Sequence, residues 1–394
     1  MKQVSAQNAW TIYNTSNSPL PENSVRAIAI GNDGVKWFGT DYGLASFDDV
    51  SWTVYQTFNS GLPDNPVRCI AVDDQNVKWI GTFNGGLARF DGSTWTVFNT
   101  ANSDLPDDFV RSIAIDTAGN KWVGTIGGLA FFDDADWVVY TTSNTASLGS
   151  DNISALHVDD NNLISIGTVN GGLTFKNDTA WSHYTIWNSG LPDNTILGLS
   201  RDNVNSLWIA TPASGLAVHL GGVNFLTLNT VSSQIQSNSL TCITIDPSQN
   251  IWVGSNDTGV VKRDGSNFIN YNMQQSGLAD NIVQSIAHDS SGIIWIGMLT
   301  GGVARLDESL LSGMPNYVVV NSISVFPIPA REMINVIFKN DYTGELQLRN
   351  NAGLLIRKFY VDSGNQFYFN VLDFPSGIYF LSLENESGIK IIIY

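Results

Sequence analysis

The chain has 394 residues, of which 43% are hydrophobic and 14% charged, a balance that excludes a disordered chain and allows more than one domain. A net charge of −17 and a pI near 4.4 argue against nucleic-acid backbones and anionic lipid surfaces as partners. The two cysteines, Cys69 and Cys242, form neither a zinc pattern nor a disulfide framework, and no stretch is long and apolar enough to span a bilayer.

Residues 1–9 read as the remnant of a leader, because Val4-Ser5-Ala6 has the small-residue character of a signal-peptide cleavage site. From Trp10 onward one unit recurs seven times. Its anchor reads Trp37-Phe38-Gly39-Thr40, Trp79-Ile80-Gly81-Thr82 and Trp122-Val123-Gly124-Thr125, then Ser165-Ile166-Gly167-Thr168, Trp208-Ile209-Ala210-Thr211, Trp252-Val253-Gly254-Ser255 and Trp295-Ile296-Gly297-Met298, with steps of 42 to 44 residues. Two more columns keep the same period. One is aromatic (Trp10, Trp52, Trp95, Trp137, Trp181, Phe225, Phe268) and the other short and polar (Asn23, Asn65, Asp108, Asp151, Asn194, Asn238, Asn281).

Each unit holds four strand-like runs; in the third copy these are 110–115, 121–125, 129–132 and 137–140, separated by turn residues such as Asp116-Thr117-Ala118-Gly119 and Gly127-Gly128. No copy carries a helical period. Seven such units predict an all-β, seven-bladed β-propeller over residues 10–307. The first strand, 10–13, is of the outermost type, and the last copy ends after its third strand near Leu306. The N-terminal strand is therefore expected to complete the last blade, leaving no long free edge. Small residues on the innermost strand, such as Ala27, Ser112 and Ser285, leave room for a neighbour's tryptophan. Cys69 and Cys242 fall in that column in blades two and six, which are not adjacent, so both are expected as buried free thiols.

The recurring pattern N-x-V-x-x-I-A-x-D-x-x-G-x-x-W-I-G-T-x-x-G-G-L-x-x-F resembles the two-component-regulator propeller repeat. The resemblance covers residues 10–306. It implies kinship with periplasmic sensors of hybrid histidine kinases that respond to glycans. No membrane span or kinase lies within these residues, so the chain is not expected to transmit a signal by itself.

After Asp307 the period stops. Residues 308–319 read as a linker, and residues 320–394 as six or seven short alternating strands, suggesting a small Ig-like β-sandwich. Val325-Phe326-Pro327-Ile328-Pro329-Ala330, Asn351-Ala352-Gly353 and Phe374-Pro375-Ser376-Gly377-Ile378-Tyr379 resemble the opening, central turn and closing motifs of the type A C-terminal sorting domain of the type IX secretion system. Pro327, Pro329, Gly353, Gly377 and Tyr379 carry that likeness, while Ile328 departs from the usual Asn. The resemblance implies export by the type IX machinery, which would place the protein in the medium or on the outer cell surface.

Within the ring, only departures from the repeat can inform on function. Arg26, Arg68 and Arg111 share one column in blades one to three, where the other blades carry Ser154, Leu197, Thr241 and Gln284. Three cations at one side of a channel mouth could hold a carboxylate or sulfate. The alternative is local pairing with Glu22, Asp64 and Asp107. Eleven of twelve tryptophans occupy repeat columns, and Trp187 does not. It aligns with Phe58 in a crossing loop. Tyr42 and Phe83 lie in turns between second and third strands, and Phe109 follows the polar column. Such rings stack on sugars, anchor a protein partner, or simply cover a neighbouring blade.

The catalytic inventory is thin. His157 and His288 read as core residues of inner strands, no cofactor motif appears, and Asp-rich turns such as Asp73-Asp74-Gln75-Asn76 read as hairpin turns rather than calcium sites. The expected function is a secreted or surface-displayed, non-catalytic binding module for a glycan or protein ligand, with no metal and no cofactor. A lyase acting on acidic polysaccharide and a purely structural surface protein are the alternatives.

Overall fold

The computed structural model describes residues 9–177, 180–274, 276–313, 323–326, 330, 333–350, 354–375, 377–383 and 389–393. The chain divides into two compact units, residues 1–311 and 312–394.

The first unit bears out the predicted propeller. Seven four-stranded antiparallel sheets follow one another, from blade one (Val25–Ile30, Lys36–Thr40, Gly43–Phe47, Trp52–Tyr55) to blade seven (Val283–His288, Ile294–Met298, Val303–Leu306). The innermost strand of each blade touches that of the next, and the inner strand of blade seven touches that of blade one. The fourth strand of blade seven is Trp10–Tyr13, in register from Trp10 opposite Leu306 to Tyr13 opposite Val303.

The repeat columns pack the seams between blades. The glycine of the anchor is a point of close approach: a Cβ on Gly81 would lie 2.4 Å from Cys69 Sγ and 2.6 Å from Val110 of the next blade. Cys69 and Cys242 are free, and burial pushes each thiol up to about 12. The aspartate that opens the first hairpin turn is committed to the same scaffold. Asp73, Asp202 and Asp246 accept from the tryptophan Nε1 six residues on, at 3.1, 2.9 and 2.9 Å. In these blades the hydrogen bond gives the six-residue spacing from aspartate to tryptophan a structural cause.

Sequence periodicity did not reveal a further layer, in which buried or half-buried cations lie over tryptophans. Lys36, Lys78, Lys121, Lys176 and Arg263 each lie over the second-strand tryptophan of the preceding blade (Trp295, Trp37, Trp79, Trp122 and Trp208), at 4.6–5.4 Å from the ring centre. Blade four has Ser165 in place of that tryptophan. Arg201 of blade five answers it, donating to Ser165 Oγ at 3.1 Å and lying 5.9 Å from the Phe175 ring.

Of the linker expected over 308–319, residues 308–313 are among the described residues. Residues 308–313 form a 3-10 turn in which Glu308 is held by Lys262 Nζ at 2.6 Å and by the Tyr271 hydroxyl at 2.7 Å, so the chain stays on blade six. Of the predicted leader only Ala9 is among the described residues, and residues 314–319 lie outside them.

The second unit is a small β domain with one five-stranded sheet of fewer and longer strands than expected: Ile323–Phe326, Met333–Asn350, Leu355–Asn370, Gly377–Leu383 and Ile389–Ile393. The predicted strands 334–338 and 345–349 are two ends of one strand, joined through register shifts between Ile337 and Gly344. The polar run between them reads as a loop, yet its backbone stays in the ladder as a bulge. Ile334 and Phe338 from one end share a core with Leu346 and Leu348 from the other.

Candidate functional site

The arginine column owes its direction to a backbone device. Register shifts between Val25 and Ala27, Val67 and Cys69, and Val110 and Ser112 leave Arg26, Arg68 and Arg111 as the extra residue of a β-bulge. A bulge re-aims the side chain it carries. Ser154, Thr241 and Gln284 sit at the same kind of shift.

Local pairing with Glu22, Asp64 and Asp107 is not what the arginines do. Those carboxylates accept instead from the backbone amides of Asn23, Asn84 and Phe109. The partner is Asp41, at the start of the turn between the second and third strands of blade one. Arg26 Nη2 lies 2.9 Å from Asp41 Oδ2, and Arg68 Nη1 lies 2.9 Å from Asp41 Oδ1. Ser24 also donates to Asp41, and Arg26 Nη1 reaches across to Gln284 Oε1 of blade seven at 2.9 Å. Arg111 has no carboxylate partner among the described residues; its Nη1 donates to Asn152 Oδ1 at 2.7 Å.

Two predicted aromatic residues join this cluster. Phe83 and Phe109 meet at 4.5 Å between ring centres, with Arg68 5.0 Å from the Phe83 ring and Arg111 5.8 Å from the Phe109 ring. Tyr42 follows Asp41 directly and is 61% exposed, its backbone carbonyl accepting from Gln56. Phe58 and Trp187 are not brought in. They stand 80% and 85% exposed in the crossing loops and form no ring contact with the arginines. Asp41, Gln284 and Asn152 were missed by sequence reasoning. Asp41 had a signal: its turn column otherwise reads Phe83, Ile126, Val169, Pro212, Asn256 and Leu299, with no other acid.

The electrostatics follow from this layout. Burial pushes the Asp41 carboxyl up, but bonds from Arg26 and Ser24 and the charges of Arg26 and Arg68 outweigh it and hold the group below the ordinary carboxylate range. Burial works against the charge on Arg68, which Asp41 supports, and on Arg111, which Arg68 repels further. Since Asp41 is depressed in the folded state, the stability from its pairing is complete above the usual carboxylate pKa, about 4. It is lost as pH falls through the lower folded value. Asp41→Asn is therefore expected to cost about 1 kcal/mol at neutral pH, the pair being partly exposed, and to flatten the acid-side decline. Urea midpoints of both proteins measured from neutral pH downward check this; curves that stay parallel would contradict it.

The remaining calls fall as follows. Burial, then the charge of Arg201, pushes His157 down to about 4. Among the described residues no group of three or more His, Cys, Asp or Glu side chains gathers to hold a metal. In the second unit Gly377 opens a strand and the Tyr379 hydroxyl donates to Pro375 O at 2.8 Å. Pro327, Pro329 and Gly353 lie outside the described residues.

Comparison with known proteins supports both parts. Residues 61–84 and 277–300 match the two component regulator propeller, and residues 324–394 match the secretion system C-terminal sorting domain. None of the curated proteins matches the chain. Among solved structures, the extracellular domain of BT3049 from B. thetaiotaomicron, named as a hybrid two component system, is similar at 19% identity and a TM-score of 0.69, over 98% of this chain and 57% of that one. PorZ of Porphyromonas gingivalis, described as an essential surface component of the type-IX secretion system, is similar at 14% identity and a TM-score of 0.61, over 98% of this chain and 60% of that one. Virginiamycin B lyase from Staphylococcus aureus is similar at 15% identity and a TM-score of 0.60, over 75% of this chain and 98% of that one. These likenesses show the fold, and the chain spans under two thirds of the length of the first two. The sorting domain implies export to the cell surface or secretion, and no helix among the described residues is long and apolar enough to cross a membrane. The chain thus carries two-component-regulator propeller repeats in its ring and, after them, a secretion-system C-terminal sorting domain.

Proposed function

We propose that the ring is a non-catalytic binding module whose arginine–aromatic mouth takes an anionic glycan, one bearing carboxylate or sulfate. The observation that carries this reading is Arg111, a mostly buried guanidinium with a neutral partner only, beside the paired rings of Phe83 and Phe109. Of the three guanidiniums only Arg26 and Arg68 pair with Asp41, which leaves the charge of Arg111 without a carboxylate partner among the described residues. A charged group on a sugar would bond to the free donors of Arg111 while the apolar face of the sugar lies on a ring. Asp41 is a poor proton acceptor between two guanidiniums, which favours binding over base-catalysed elimination.

Titration calorimetry of the full chain with an oligogalacturonate and a neutral oligosaccharide tests the proposal. Arg111→Ala is expected to weaken binding of the uronate by about tenfold or more, the loss expected for a hydrogen bond to a charged group, with no unsaturated product formed. Equal affinity in the variant, or an unsaturated product that accumulates with time, would overturn the reading.

A further inference from the structure

The closing strand is held to blade seven without a covalent link, and beside this seam lies a cavity at the opposite end of the Lys36–Thr40 strand from Asp41 of the arginine mouth. Blade one joins its third and fourth strands by a tight turn, in which Asp48 N donates to Ser51 O at 3.2 Å. Blade seven has no such turn. Its fourth strand arrives as Trp10–Tyr13, and after Asp307 the chain turns away to Lys262 and Tyr271 of blade six.

At this seam lies a pocket of about 540 Å³, a size typical of small-molecule sites. Tyr13 of the closing strand, Arg305 and Asp307 of blade seven, and Lys36 and Asp49 of blade one face it, with Ser291 on its wall. Each cation stands beside a carboxylate: Lys36 Nζ is 2.5 Å from Asp49 Oδ2, and Arg305 Nη2 is 3.5 Å from Asp307 Oδ2. The Lys36 side chain is only 4% exposed, so this donor is fixed in place. The Tyr13 hydroxyl lies in the fields of both Arg305 and Asp49. Asp289 also lines the pocket, but its oxygens already accept from Ser291, Ile293 and Trp295.

Two features of this lining select a ligand class. Alternating donors and acceptors match vicinal hydroxyls, each of which can give a hydrogen bond to a carboxylate and accept one from a cation. The charge balance, two cations against three carboxylates, disfavours an anion. We propose that the seam pocket binds a neutral saccharide. Because such a ligand touches the closing strand, blade seven and blade one together, its binding favours the closed ring by mass action.

The test is thermal unfolding and titration calorimetry of the full chain with glucose, galactose, mannose and N-acetylglucosamine. Glucuronate is the charged control, applied to Arg111→Ala protein so that the arginine mouth does not contribute. At least one neutral sugar is expected to raise the Tm with concentration. Arg305→Met, which keeps the stem, should weaken that sugar about tenfold, and so should Ser291→Gln, which fills the wall from an exposed turn. Arg111→Ala should leave it unchanged. The proposal is overturned if no neutral sugar binds, if binding survives both pocket variants, or if glucuronate binds as well as the neutral sugars.

Discussion

Replacing Trp295 by alanine is expected to destabilise the ring by about 3–5 kcal/mol, the usual cost of deleting a fully buried tryptophan. The indole has no exposed surface. It stacks on Tyr13 at 6.1 Å, lies 5.8 Å from Phe38, and has Lys36 Nζ 5.4 Å from its ring. Those neighbours belong to the closing strand and to blade one, so the cavity would open at the non-covalent seam. There the surroundings cannot collapse without parting blades. Urea unfolding followed by tryptophan fluorescence gives the measurement. A loss below about 1 kcal/mol would show that the seam relaxes around the missing ring, against the close packing of its neighbours.

Removing the residues up to and including Tyr13 should have a still larger effect, the loss of cooperative unfolding and the onset of self-association. Trp10–Tyr13 pairs along its whole length with Val303–Leu306, and without it that strand becomes an exposed edge. The strand also contributes packing. Trp10 meets Tyr271 edge-on at 5.6 Å, and a Cβ on Gly277 would lie 2.4 Å from its ring, so the chain of the last crossing loop is folded against it. Size-exclusion chromatography and hydrogen exchange of the truncated protein would show the change. A monomer with unaltered protection in blade seven would mean that closure by this strand is dispensable.

The two units differ in how much of them could be read in advance. In the ring, the turn residues recur at one period, with an Asp–Trp hydrogen bond in blades two, five, six and seven and a close-approach glycine in every blade but the fifth, so local chemistry announces the fold. In the C-terminal domain the run 339–344 is polar and reads as a break, whereas the ladder carries it as a bulge inside a strand spanning Met333–Asn350. No residue type in that run marks the bulge, because it is defined by what lies opposite on the partner strand. The same holds for Arg26, Arg68 and Arg111: the column was visible, but not the bulge that aims it.

The sequence by itself determined the seven blades, the order in which the ring closes, the free thiols and the export address, since each rests on contacts that recur locally or on a contiguous motif. Only the tertiary structure decided what the departures from the repeat do. Asp41 serves Arg26 and Arg68 at once, Gln284 meets Arg26 across 258 positions, and Phe83 and Phe109 come together from different blades. The physical reason is the curvature of the ring. It brings side chains of successive blades to one channel mouth, and the last blade back to the first, at separations that no spacing in the chain records.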